Sequence, residues 1–239
     1  SILALPALIL SLASVARADF TDNFNGSALG PWWSFGGAPM PNPQNFGVSG
    51  GMLHVTGMAI PPNVKISPSN AFIQTTFPPV VGDYEAKVRL SLEPGQSYRD
   101  ATLSVGGAGG AGGGIVMHEA GVGVRTAFQP LNPSFPSPGP GFHEYSFIRR
   151  GTATSFYVDG DLLTTLFDGS GQGVSSVRLE FRLFYPGMDF PPVHVDYVSV
   201  VPSPGAGIMG FLTAGLLRLR RSGDRPRRRL PSQQARLTA

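Results

Sequence analysis

Five glutamates stand in the central part of the chain: Glu85, Glu93, Glu119, Glu144 and Glu180. They are the first side chains to ask about acid–base chemistry. Cleaving a sugar bond takes two carboxyl groups, about 5 Å apart when one of them is the nucleophile. A strand can supply such a pair only from residues on one face. Glu119 follows His118 and Glu144 follows His143. On strands, sequence neighbours point to opposite faces, so neither His-Glu neighbour pair forms a dyad. The chain has no cysteine, hence no thiolate nucleophile, thiolate metal site or disulfide. A zincin helix motif and a phosphate loop are absent as well.

The elements that must position any site are short and extended. The 239 residues include 32 glycines and 23 prolines, and only 14% are charged. That length fits one domain plus end segments, and the punctuation between short apolar runs predicts turns and strands rather than helices. Residues 82–92 alternate: Tyr84, Ala86, Val88, Leu90 and Leu92 against Glu85, Lys87, Arg89 and Ser91. Residues 177–183 do the same, with Val177, Leu179, Phe181 and Leu183 against Arg178, Glu180 and Arg182. This is the period of a half-buried strand. Asp159-Gly160 splits 155–166 into a predicted hairpin. Further strands are expected at 51–57, 70–76, 101–105, 114–118, 121–128, 142–149 and 192–201. Glycine-rich 106–114 reads as a hairpin loop, and proline-rich 128–142 as an extended surface loop. The expected fold class is all-β: a two-sheet antiparallel jelly-roll sandwich, with short apolar helices at the N- and C-terminal ends.

The formal net charge of +3 hides a division. Eight arginines and one aspartate in 218–239 give +7, Arg17 adds +1, and nine Lys/Arg against fourteen Asp/Glu in 19–204 give −5. The central part is mildly acidic and shows no basic stripe, which argues against a nucleic-acid partner.

Three stretches carry a resemblance: Phe20–Phe35 followed by Val48–Gly57, Phe142–Leu163 with its Tyr-Val-Asp-Gly, and Val193–Val201. In order and spacing they resemble the concanavalin A-like jelly rolls, which include family 16 glycoside hydrolases and laminin-G-like modules. The resemblance covers 19–201 and implies the sandwich. The hydrolases of that group carry Glu-x-Asp-x-x-Glu or Glu-x-Asp-x-Glu, and none of the five glutamates begins such a motif. The expectation is therefore a chain that is not an enzyme. An atypical glycosidase would need Glu180 and another acid facing each other at about 5–9 Å. The resemblance also implies a structural calcium on the closing-strand aspartate, Asp196, with Asp22 and the backbone of Gly51 nearby; carbonyls and waters can complete such a shell.

Both ends of the chain read as sorting segments. Residues 1–18 run apolar from Ile2 to Leu12 and close on Ala16-Arg17-Ala18, the pattern of a cleaved signal peptide. Near the other end, Val201-Pro202-Ser203-Pro204 precedes a 13-residue apolar run, 205–217, and then Arg218, Arg220 and Arg221. The run is short against the roughly 20 residues that span a bilayer. This order resembles the PEP-CTERM sorting signal, with Ser203 where that family usually has glutamate. It implies an exosortase-type partner and transient inner-membrane contact through 205–217. The implied address is the cell surface or extracellular matrix of a Gram-negative-type bacterium. The division is then 1–18 signal, 19–201 jelly roll, 202–221 sorting signal and 222–239 basic tail.

Sugar binding needs aromatic faces beside polar groups. The candidates are Trp32, Trp33, Tyr98 and Tyr185, of which adjacent Trp32 and Trp33 cannot both face the core. The expected function is a carbohydrate-binding surface module for extracellular polysaccharide. A structural surface protein without a small ligand and an atypical glycoside hydrolase remain the alternatives.

Overall fold

The computed structural model describes residues 19–38, 45–56, 69–92, 99–107, 112–118, 120–126, 135–167, 173–183 and 192–203. All of them fall in the compact unit that ends at Ser203. The signal segment, the apolar run 205–217 with its expected helix, Arg218, Arg220, Arg221 and the basic tail lie outside the described residues.

Among the described residues the chain forms strands only. In order they are β1 (Phe20–Asp22), β2 (Ser34–Ala38), β3 (Phe46–Ser49), β4 (Met52–Val55), β5 (Ser69–Val80), β6 (Tyr84–Leu92), β7 (Arg99–Gly106), β8 (Gly113–His118), β9 (Gly121–Thr126), β10 (Phe135–Pro136), β11 (Phe142–Arg150), β12 (Ala153–Val158), β13 (Asp161–Phe167), β14 (Val174–Leu183) and β15 (Val193–Pro202). They build two antiparallel sheets. The eight-stranded sheet runs β13-β12-β11-β6-β15-β4-β3, with β1 also paired to β15. The seven-stranded sheet runs β10-β9-β8-β7-β14-β5-β2. Neighbours distant in sequence, such as β6 beside β15 and β7 beside β14, give the crossovers of a jelly roll.

Alternation decides which side chains fill the space between the sheets. In β6 the buried set is Tyr84, Ala86, Val88 and Leu90; in β14 it is Val177, Leu179 and Phe181. They join one core with Phe147, Phe156, Leu53, Ile73, Leu103, Ile115 and Met117. Phe147 centres one end, with Tyr84 edge-on at 6.3 Å and Phe156 tilted at 5.6 Å between ring centroids. Burying side chains of this size is worth about 1.5–3 kcal/mol each, and the outward positions are left to polar residues.

The turns follow their residues. Asp159 (φ 52°) and Gly160 (φ 87°) both lie in the left-handed region, as a two-residue hairpin requires, and Val158 faces Asp161 across it. The glycine-rich stretch joins β7 to β8, and the start of β8 is tight. A β-carbon on Gly112 would sit 1.9 Å from the Val105 carbonyl oxygen, so that position excludes any side chain. The proline-rich stretch departs from expectation. Phe135–Pro136 adds a short edge strand, with Phe135 opposite Val122. An edge tolerates proline because the missing N–H faces outward.

Asp159 also ties the hairpin to β11. Its carboxylate accepts the Glu144 N–H at 2.9 Å and a hydrogen bond from His143 Nδ1 at 2.6 Å. Burial alone would raise this carboxyl. The hydrogen bonds from His143 and the Glu144 amide, with the charges of His143 and Arg89, hold it below its ordinary value. A depressed folded value stabilises the fold above the unfolded value of about 3.9 and loses that contribution as pH falls through the folded one. Asp159→Asn keeps a residue that tolerates positive φ and removes the charge. The urea midpoint of the unmodified chain should exceed that of Asp159→Asn at pH 7. The gap should close below about pH 4; an unchanged gap at pH 3 would exclude this origin.

Candidate functional site

The outer face of the seven-stranded sheet carries a cluster of buried carboxylates with their partners. Alternation that sends Leu179 and Phe181 inward sends Arg178, Glu180 and Arg182 outward from β14. On β7 it places Asp100, Thr102 and Ser104 on that same outer face, and on β8 Gly114, Val116 and His118. The register sets His118, Asp100 and Arg182 in one row across the sheet. Val116, Thr102, Glu180 and Phe72 form the next, and Arg125, Gly114, Ser104, Arg178 and Gln74 a third.

Although this face points away from the core, its two carboxylates are buried, Asp100 and Glu180 each 4% exposed, as is the Thr102 hydroxyl residue at 1%. Buried charge needs compensation. Arg182 Nε donates to Glu180 Oε1 at 2.8 Å, and Arg178 Nη1 lies 3.9 Å from Glu180 Oε2. His118 Nδ1 rests against Asp100 Oδ1 as an ion-pair contact outside hydrogen-bond geometry. The Arg178 guanidinium stacks 3.4 Å above the Phe72 ring centre, and that ring fills the space a side chain at Gly36 would need. Arg125 lies over Gly114, where a β-carbon would come within 3.0 Å of its Nε. Burial lowers the Arg125 guanidinium from its ordinary value; Arg182 and Arg178 push the same way, and Glu180 opposes them. Buried Thr102 Oγ1 and Arg178 Nε have no hydrogen-bond partner among the described residues. A hydroxyl and a guanidinium N–H in that state are ready to bind a polar ligand or water.

Asp100 stands opposite Arg182, and Glu180 opposite Thr102. The two carboxylates are therefore diagonal neighbours on one face, a relation that separates backbones by about 7–8 Å and β-carbons by somewhat less. Side chains from positions so spaced can bring their carboxyl groups to the roughly 5–9.5 Å that separates glycosidase pairs. They come from two strands, not one. A cavity of about 200 Å³ opens beside His118, lined by Leu92, Ser137, Gly139, Pro140, Gly141 and Tyr145.

The aromatic candidates separate. Trp33 is core, at 6% exposure, and Trp32 is 53% exposed. One acceptor holds both: Asp22 Oδ2 takes the Trp33 Nε1–H at 2.7 Å and the Trp32 Nε1–H at 3.1 Å, while Oδ1 takes the Phe24 N–H at 2.8 Å. Trp32 borders a depression with Asp22, Asn23, Asn25 and Gly30, remote in sequence from the carboxylate pair. Tyr98 and Tyr185 lie outside the described residues, as does Glu119.

The residues expected around a calcium ion have these surroundings. Asp22 is committed to the indoles. Asp196 sits where the β15–β6 register shifts, and it is ion-paired to Arg89, whose charge opposes a cation there. Gly51 serves, with Gly50, as the positive-φ turn between β3 and β4. Among the described residues no group of three or more His, Asp or Glu could hold a metal ion.

Asp100 and its partner His118 were not singled out from the sequence as a site. The available signal was the alternation of Asp100, Thr102 and Ser104 with Ala101, Leu103 and Val105; the register that brings Asp100 near Glu180 is a property of strands far apart in the chain.

No family model and no curated protein matches this chain. Solved structures do. A laminarinase from Flavobacterium sp. UMI-01 superposes with TM-score 0.60 at 16% identity, over 76% of this chain and 98% of that one. The laminarinase catalytic domain from Thermotoga maritima MSB8 gives TM-score 0.61 at 16% identity, over 77% and 97%. The Bacillus licheniformis β-glucanase gives 0.54 at 12%, over 77% and 98%. The fold is thus the concanavalin A-like jelly roll of the family 16 glucanases. The expectation of a chain that is not an enzyme is overturned by these neighbours, which are glycoside hydrolases. That expectation rested on a motif confined to one strand, whereas this sheet assembles a carboxylate pair across two.

Removing the acceptor shared by the indoles tests the described geometry. Asp22→Ala leaves the buried Trp33 Nε1–H unpaired, which costs about 1–3 kcal/mol. The urea midpoint should fall accordingly and the tryptophan emission should shift to the red. An unchanged midpoint would mean that Asp22 does not hold the indoles.

Proposed function

We propose that this chain is a carbohydrate-active protein of the glycoside hydrolase type, acting with Asp100 and Glu180 on a β-1,3-linked glucan. The observation that carries it is the pair itself: two buried carboxylates, diagonal on the outer face of one sheet, beside a buried hydroxyl and a guanidinium with hydrogen bonds to give. The glucan comes from the neighbours, which include endo-β-1,3-glucanases.

The partners suggest the division of roles. Glu180, compensated by Arg182 and Arg178, suits the anionic part: it takes the proton from attacking water, or attacks the anomeric carbon itself. Asp100 and His118, in contact and holding one proton between them, suit the acid that protonates the departing glycosidic oxygen. His118 can return a proton from solvent to Asp100. The balance is one water consumed and one glycosidic bond broken, leaving one new reducing end.

Reducing-end release from laminarin and from mixed-linkage β-glucan, by the full chain, tests this reading. Asp100→Asn and Glu180→Gln should each lower the rate about 100-fold or more, with the fold checked by circular dichroism. A folded unmodified chain that releases nothing from either glucan, or a double variant that retains full activity, would overturn it.

We infer also that the chain is exported and processed at its sorting signal, on the sequence pattern of 1–18 and 202–221. The first residues of that signal are part of the sandwich: Pro202 faces Tyr84, and the Ser203 N–H donates to the Asp83 carbonyl at 3.0 Å. A processing enzyme needs extended, accessible chain, so the cut should fall after Ser203. Intact-mass measurement of the protein recovered from a host carrying such an enzyme should place the new C-terminus there. A C-terminus before Val201 would contradict it.

A further inference from the structure

On the outer face of the other sheet, His54 of β4 and His194 of β15 stand directly opposite each other. Their Nδ1 atoms are 2.7 Å apart, with ring centroids at 4.9 Å and planes at 75°. His54 Nε2 lies 3.0 Å from the Ser49 carbonyl oxygen. A carbonyl only accepts, so Nε2 carries the hydrogen and Nδ1 of His54 presents its lone pair. The close contact then needs the hydrogen of His194 on its Nδ1.

His54 is oriented as a metal-binding histidine is. Histidines that ligate a metal hold the far N–H on a carbonyl or carboxylate, which fixes the tautomer and turns the other nitrogen to the ion. Ser49 does that here for His54. With metal–nitrogen bonds of about 2.0–2.1 Å, two nitrogens on one tetrahedral ion sit about 3.4 Å apart. Opening the present 2.7 Å contact to that separation, by about 0.7 Å, takes ring rotations. It also requires His194 to release its Nδ1 hydrogen, either to solvent or by moving it to Nε2.

The neighbourhood admits an ion. Gly47 faces His54 from β3, and a β-carbon there would touch nothing within 4 Å, so this side is open for water ligands. Ser91 faces His194 from β6. The nearest cation along these strands, Arg89, is paired with Asp196. Imidazole nitrogens select zinc, copper and nickel over calcium and magnesium.

We propose that His54 and His194 form a two-histidine chelate for a divalent transition-metal ion, independent of the carboxylate pair on the other sheet. The chain has four histidines and no cysteine, so the ligands can be assigned by elimination. Isothermal titration of the full chain with zinc chloride should give one saturable site per chain. His54→Gln and His194→Gln should each weaken it more than about tenfold, and the double variant His118→Gln/His143→Gln should leave it unchanged. Copper(II) bound to the unmodified chain at one equivalent should show two equivalent nitrogen couplings in its electron paramagnetic resonance spectrum. This second reading does not depend on the variants folding. Absence of saturable binding, binding that survives loss of His54 and His194, loss in the His118/His143 variant, or a copper spectrum without two nitrogens would overturn the proposal.

Discussion

The contact between Glu180 and Arg182, two residues apart on β14, is the constraint around which the seven-stranded sheet is arranged. Both side chains leave the strand on the same face because Phe181 between them is needed in the core. A nearly buried carboxylate without that partner would cost several kcal/mol, more than any one of the sheet's hydrophobic contacts returns. The rest of the face is ordered around it. Arg178 approaches from the other side and is itself held by Phe72; the Phe72 ring requires a glycine at position 36; Arg125 requires one at 114. The charges and the glycines are one packing solution.

The same alternation made much of the fold legible in the sequence. Residues 82–92 and 177–183 announced which side chains go inward, and they do so in β6 and β14. Asp159-Gly160 announced its hairpin because the two φ angles it needs are costly for other residues. The pairing of Trp32 and Trp33 announced one buried ring and one exposed. Alternation, however, is local. It says which face a residue occupies and nothing about which strand lies alongside. Asp100, just outside the strand expected at 101–105, therefore could not be connected to Glu180, some eighty positions away, although Glu180 was placed on its strand face correctly. Asp196 shows the converse. Its strand was foreseen, but the register shift beside it was not, and that shift delivers it to Arg89.

A carboxylate pair built across strands has a different physical basis from one built along a single strand. Along one strand, spacing is fixed by covalent geometry, and the neighbouring strands only hold it in place. Across β7 and β14 the spacing is set by register. A slip of one residue would turn Asp100 inward and bring Ala101 out. What prevents the slip is the core side of the same strands, where Ala101, Leu103 and Val105 meet Phe181, Leu179 and Val177 in register and all are buried. The precision of the polar site is thus derived from the apolar face opposite, and core packing and site geometry in this sheet cannot be altered separately. The two histidines of the other sheet obey the same rule: Val193 and Val195 flank His194, Leu53 and Val55 flank His54, and all four are fully buried. In both sheets, residues brought together from distant parts of the chain are held opposite or diagonal to one another by the hydrophobic residues between them.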